Sequence, residues 1–195
     1  MKKINLLLVL ILSSNFVNAQ TGTLTNYERQ FLLDNWEVTK TELLSEVKKV
    51  PDNQWTKRPA DGGWSVAECF EHIVIAMPAQ MGGVQNSLNK AANSSKDMTH
   101  LDGYLLSRMT NRGTAFPTPL PPRERDISKE DLLERFQELD KQFIAMINNR
   151  NAPYRNHYGP SPFGEADAYQ LLLLTSGHVL RHTFQIREVL REINS

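Results

Sequence analysis

The sequence predicts an all-α fold, a four-helix bundle, on three observations. Four long stretches carry apolar residues at helical spacing. Three of them open with a hydroxyl residue followed three positions later by an acid, the signature of a capped helix start. No stretch alternates apolar and polar residues as a half-buried strand does. Four amphipathic helices bury their apolar faces most simply against one another. A chain of 195 residues is long enough to enclose one such core.

The elements follow in order. Lys2 and Lys3, the apolar run Leu6–Leu12 and the small residues around Ala19 have the layout of a secretory signal peptide, expected over residues 1–19. That run is too short to span a bilayer, so no membrane span is expected after cleavage and the protein is expected to be exported, periplasmic or extracellular. The bundle is expected over residues 25–193. Its first helix starts at the Thr25/Glu28 box, carries Phe31, Val38, Leu43, Val47 and Val50, and stops at Pro51. The second starts at the Ser65/Glu68 box, with Trp64 before it, and runs into the low nineties. Pro78 removes one backbone bond inside it, which predicts a kink. A connection of about 30 residues follows, with Thr118-Pro119-Leu120-Pro121-Pro122 excluded from helix and a short helix expected over 101–109. The third helix starts at Ser128 with the stripe Leu132, Leu133, Phe136, Leu139, Phe143, Ile147. Residues 151–164 form a loop, and the fourth helix is expected over 165–193. The short connections suit antiparallel neighbours. The long one reaches along a helix of about 33 Å, which permits an up-down-down-up bundle with a crossover between helices two and three.

Charge and cysteine content exclude several classes. There are 22 Lys and Arg against 22 Asp and Glu, so no basic field attracts nucleic acid, and no nucleic-acid partner is expected. Removing the expected leader leaves 20 basic against 22 acidic side chains. The single cysteine, Cys69, rules out an intrachain disulfide and is expected to be hidden in the core.

Three of the five histidines carry the chemistry. His178 and His182 lie four apart on the fourth helix, hence on one face and one turn apart. Leu171, Leu174, Gln185, Ile186 and Val189 make that face apolar. Two imidazoles pointing into a core are costly without a partner. His72, two turns into the second helix, offers a third nitrogen across the bundle. Three imidazoles with positions left for water are the ligand set of a catalytic metal.

Two segments carry a family resemblance. Trp64-Ser65-Val66-Ala67-Glu68-Cys69-Phe70-Glu71-His72-Ile73 and Gly177-His178-Val179-Leu180-Arg181-His182-Thr183-Phe184-Gln185-Ile186 resemble the second- and fourth-helix motifs of the DinB-like superfamily of metal-binding four-helix bundles. The resemblance extends over about residues 25–193. It implies an up-down-down-up bundle, frequent homodimers and one divalent metal ion (zinc, nickel, iron or manganese) on His72, His178 and His182. Its better understood members are thiol-dependent bacillithiol S-transferases and a maleylpyruvate isomerase. Their thiol cofactors are cytoplasmic, whereas this chain carries an export signal.

The remaining candidates have ordinary structural readings beside the functional ones. Glu68, one turn before His72, is a candidate general base whose cap already explains it. Gln185, three after His182, is a candidate for contact with substrate or solvent near the metal. Arg181 is read as a rim charge, and His100 and His157 as solvated loop residues. The expected function is a metal-dependent enzyme of the cell envelope acting on an unidentified small molecule. Water activation (hydrolase) ranks ahead of a metal-dependent thiol S-transferase, and a non-catalytic metal-binding bundle is the rival outside catalysis.

Overall fold

The computed structural model describes residues 21–123 and 128–195. The expected leader and residues 124–126 of the charged stretch before the third long helix lie outside them. Four long helices form the bundle: α1 (Asn26–Lys49), α3 (Val66–Leu88), α5 (Lys129–Asn148) and α6 (Ala168–Ile193). A one-turn α2 (Asp52–Trp55) lies between the first two. The long connection holds a 3-10 turn (Thr99–Leu101) and α4 (Asp102–Thr110).

The caps form as read. Thr25 and Ser65 each accept from the backbone of the glutamate three residues on, whose carboxylate returns to the cap amide, and Ser128 accepts from Asp131 N–H. α3 continues through Pro78. The first stripe is corrected in part: Leu43, Val47 and Val50 are buried, but Phe31 and Val38 face outward. Leu32 and Trp36 take the inward positions, because Trp36 anchors the core against Phe136 and Phe143.

Contacts between helix ends fix the topology. Glu28 meets Arg155 and lies beneath Tyr169 near the start of α6, while Glu46 meets Arg187 near its end, so α1 and α6 run parallel. His72 near the start of α3 faces His178 in the second half of α6, so those two are antiparallel. Arg29 reaches the Ile147 carbonyl and Lys129 the Val50 carbonyl, so α1 and α5 are antiparallel. The bundle is up-down-down-up, and the connection that follows α3, described over residues 89–123, runs along its length. α6 packs on α1 and α3, and α5 packs on α3 and α1. The helices joined by short connections therefore sit across the diagonals instead of side by side, a correction to the expected neighbours.

The loop before α6 also differs from expectation. Tyr158–Ser161 (β1) and Gly164–Asp167 (β2) form a two-stranded antiparallel hairpin. Gly164, at φ +104°, makes the turn that a residue with a Cβ would strain. α6 accordingly starts at Ala168, capped by Asp167 in a box with Gln170. Arg155 joins Glu28, Asp102 and Asp167, tying the starts of α1, α4 and α6 together. Burial raises the Asp167 carboxyl to about 6 despite that guanidinium.

None of the described helices is long and apolar enough to cross a membrane. Cys69 is buried and free, and burial pushes its thiol up, as a core residue should behave.

Candidate metal centre

The centre lies where α3 and α6 face each other. The Ser65 cap starts α3 so that His72 points inward two turns later. The His178/His182 pair presents its shared face from α6. The three rings sit 4.5 to 5.0 Å apart, centroid to centroid. One nitrogen from each lies within 4.8 Å of the others. His72 and His182 are buried, and His178 is half-buried.

Two neighbours fix which nitrogens face the centre. His72 Nδ1 lies 2.7 Å from the Leu120 carbonyl, which can only accept, so that nitrogen carries the hydrogen and Nε2 keeps its lone pair. His182 Nδ1 lies 2.8 Å from Gln185 Oε1, with the same consequence. His72 Nε2 and His178 Nε2 approach to 3.1 Å. Burial lowers all three imidazoles: His178 falls to about 3, His182 falls well below its ordinary value with His178 and His72 adding to the effect, and His72 falls less. The cluster is thus three neutral nitrogen donors, two of them oriented by a second hydrogen bond. That donor set fits a divalent ion of the zinc, nickel, iron or manganese kind.

A cavity of about 610 Å³ opens beside the rings. Trp64 forms one wall, its ring stacked at 6.0 Å on His182. The proline-rich end of the crossover, residues 111–123, is laid across the cavity and clamped to both helices. His72 Nδ1 donates to Leu120, the Glu71 carboxylate accepts from Arg123 N–H, and the Arg181 guanidinium donates to the carbonyls of Met109 and Asn111. Arg181 also lies 4.8 Å over the Phe116 ring. This corrects the reading of Arg181 as a rim charge: it is buried and holds the strap. Gly177 allows the approach of α4, since a Cβ there would meet Leu106 and Met109 at 3.0–3.3 Å.

The other candidates separate. Gln185 lines the cavity and orients His182. Glu68 is not on the cavity wall. Its carboxylate is taken by the Ser65 amide at 2.9 Å and by Arg58, which together outweigh burial and hold it below the usual carboxylate range. His100 is exposed, whereas His157 is buried, contrary to its reading as solvated. The sequence reading missed Arg181 and the Leu120 carbonyl. A charged side chain between two inward histidines was the one available signal for Arg181. A backbone acceptor supplied by a distant loop leaves none.

The profile of the DinB superfamily matches residues 35–186, well over half of the chain. Among solved structures, YfiT from Bacillus subtilis, described as a probable metal-dependent hydrolase with an unusual four-helix bundle topology, is similar. It shares 15% identity over 88% of this chain and 91% of its own, with a TM-score of 0.60, a likeness of fold. No curated protein matches this chain.

Proposed function

The chain belongs to the DinB superfamily, and from that premise we propose that it is a divalent-metal-dependent hydrolase of the cell envelope. The observation that carries the reading is the pair of fixed tautomers. Leu120 O and Gln185 Oε1 each hold an Nδ1–H and leave Nε2 free to face the third imidazole, beside a cavity. His72, His178 and His182 would hold the ion. Such an ion supplies Lewis acidity and a water activated near neutral pH.

The chain's own residues do the rest. Gln185 and the Leu120 carbonyl keep the rings from turning. Trp64 and the strap shield the histidines from bulk water on two sides, and Arg181 fixes the strap. No Asp or Glu lines the cavity among the described residues, so the nucleophile has no carboxylate base beside it and depends on the metal. Hydrolysis also needs no cellular thiol, which suits the expected export signal at residues 1–19.

The same lack of a lining carboxylate supports a second reading, a metal-dependent thiol S-transferase, because a metal-held thiol ionises without a protein base. One experiment separates them. Metal-loaded protein is offered a panel of esters and amides, with and without a small added thiol. Turnover by water alone is the expected result. Turnover only with thiol would move the assignment to transfer, and none in either arm would remove both.

A further inference from the structure

The cavity has a direction. On α3, Ala76, Ala79 and Gly83 follow His72 at four, seven and eleven positions, a row of small residues on one face. On α6, Leu174 and Leu171 precede His178 at four and seven positions and form the facing wall. The row from His72 to Gly83 extends about 16 Å along the helix. Phe116 covers it from the strap, its ring 5.3 Å from Phe163 of the hairpin turn. The space is therefore a trough that starts at the histidines and ends under the hairpin.

The walls define what fits. The charged side chains on the cavity wall are committed elsewhere: Arg181 to strap carbonyls, and Arg112 to Glu188 through a two-pronged pair at 2.7 and 3.1 Å. A charge buried along the trough would lack a partner, and an uncharged chain would not. Among the described residues, two lining side chains keep a buried polar atom without a partner: His178 Nδ1 at the histidine end and, along the trough, Gln80 Oε1, an acceptor. The small α3 residues leave room: a Cβ built on Gly83 meets no atom within 4 Å. The volume is that of a site for one elongated small molecule.

We propose that the site takes an ester or amide of an elongated, uncharged acyl chain, with its carbonyl at the histidines and its chain in this trough. Water adds to the carbonyl carbon, the C–O or C–N bond breaks, and the leaving oxygen or nitrogen takes a proton. The products are a carboxylic acid and an alcohol or amine. The inference rests on the hydrolase reading for its reacting end and on the trough alone for its chain.

Alkyl hydroxamates test it, because their head chelates a divalent ion and their tail can be lengthened. Calorimetry of the metal-loaded protein with aceto-, butano- and octanohydroxamate should show affinity rising up to about fourfold per methylene, approaching about two hundred-fold from butano to octano. G83L should flatten that rise. G82L, on the neighbouring position that does not line the cavity, should keep it. Both replace glycine by a better helix former in open space, so both should fold. Short hydroxamates that bind with no gain from length, or equal rises in the two variants, would overturn the acyl-chain inference and leave the metal reading standing. If no hydroxamate binds the metal-loaded protein, the hydrolase reading fails, and 1-octanol followed by amide shifts on α3 and α6 decides the trough. Shifts in the wild type that G83L abolishes would support it, and none in the wild type would overturn it.

Discussion

Between α1 and α5, Trp36 packs on Phe143 at 4.6 Å and on Phe136 at 6.1 Å, and its indole N–H donates to Asp140 at 2.7 Å. Phe70 of α3 continues the cluster at 5.7 Å from Phe136. Between α3 and α6, the same length of helix holds three neutral imidazoles and a cavity of about 610 Å³. One interface is filled by side chains in contact. The other keeps polar groups and open space in positions that packing alone would give to leucine. The bundle can hold its rings in costly surroundings because the aromatic half supplies apolar burial that the site does not.

The comparison predicts that changes on the two sides have separable effects. The largest should come from the aromatic half. Trp36→Ala should destabilise by about 3–5 kcal/mol in denaturant titration, while the protein that remains folded keeps its metal stoichiometry. A loss of metal at conditions where the variant is folded would mean that the two halves are not separable.

Acid should act on the other half. The folded pKa values of the three histidines lie below the unfolded value, so the unfolded chain binds more protons. Stability of chelator-treated protein is then full above about pH 6.5 and falls as pH drops toward 3, by up to about 1.4 kcal/mol per pH unit for each histidine. A variant with all three histidines replaced by leucine should lose most of that slope. An unchanged slope would place the acid sensitivity elsewhere.

How much of this was legible depended on whether the signal was local. The caps at Thr25, Ser65 and Ser128 each lie within four residues of sequence; the first two form as full boxes, and Ser128 caps its helix without a return bond from Asp131. The His178/His182 pair needed only helical spacing, and His72 needed only the bundle. What could not be read lies between distant segments. The hairpin strands are four residues each and contain Gly159, Pro160 and Gly164, a composition that looks like loop until the strands pair. Phe31 and Val38 satisfied a helical spacing that Leu32 and Trp36 satisfied too, and only the partner helix chose between them. Arg181 looked solvated because its carbonyl acceptors lie about 70 residues away.

Smaller effects sharpen the account inside the site. Gln185→Leu removes the acceptor for His182 Nδ1–H without touching Nε2. Metal affinity should fall about 10- to 100-fold in competition with a chelator, with little change in folding stability. Unchanged affinity would make Gln185 a bystander. Smallest is Glu68→Ala, which should cost about 1 kcal/mol as the lost hydrogen bond to the Ser65 amide and leave metal content and turnover per folded molecule unaltered. A large loss of turnover with metal retained would return Glu68 to the chemistry.

The central claim is that His72, His178 and His182 form one metal centre. Elemental analysis of the purified protein beside His182→Ala, both verified as folded by circular dichroism, tests it most directly. The account predicts close to one divalent ion per chain in the first and a near-complete loss in the second. Equal metal content in the two proteins, whether near zero or near one, would contradict it.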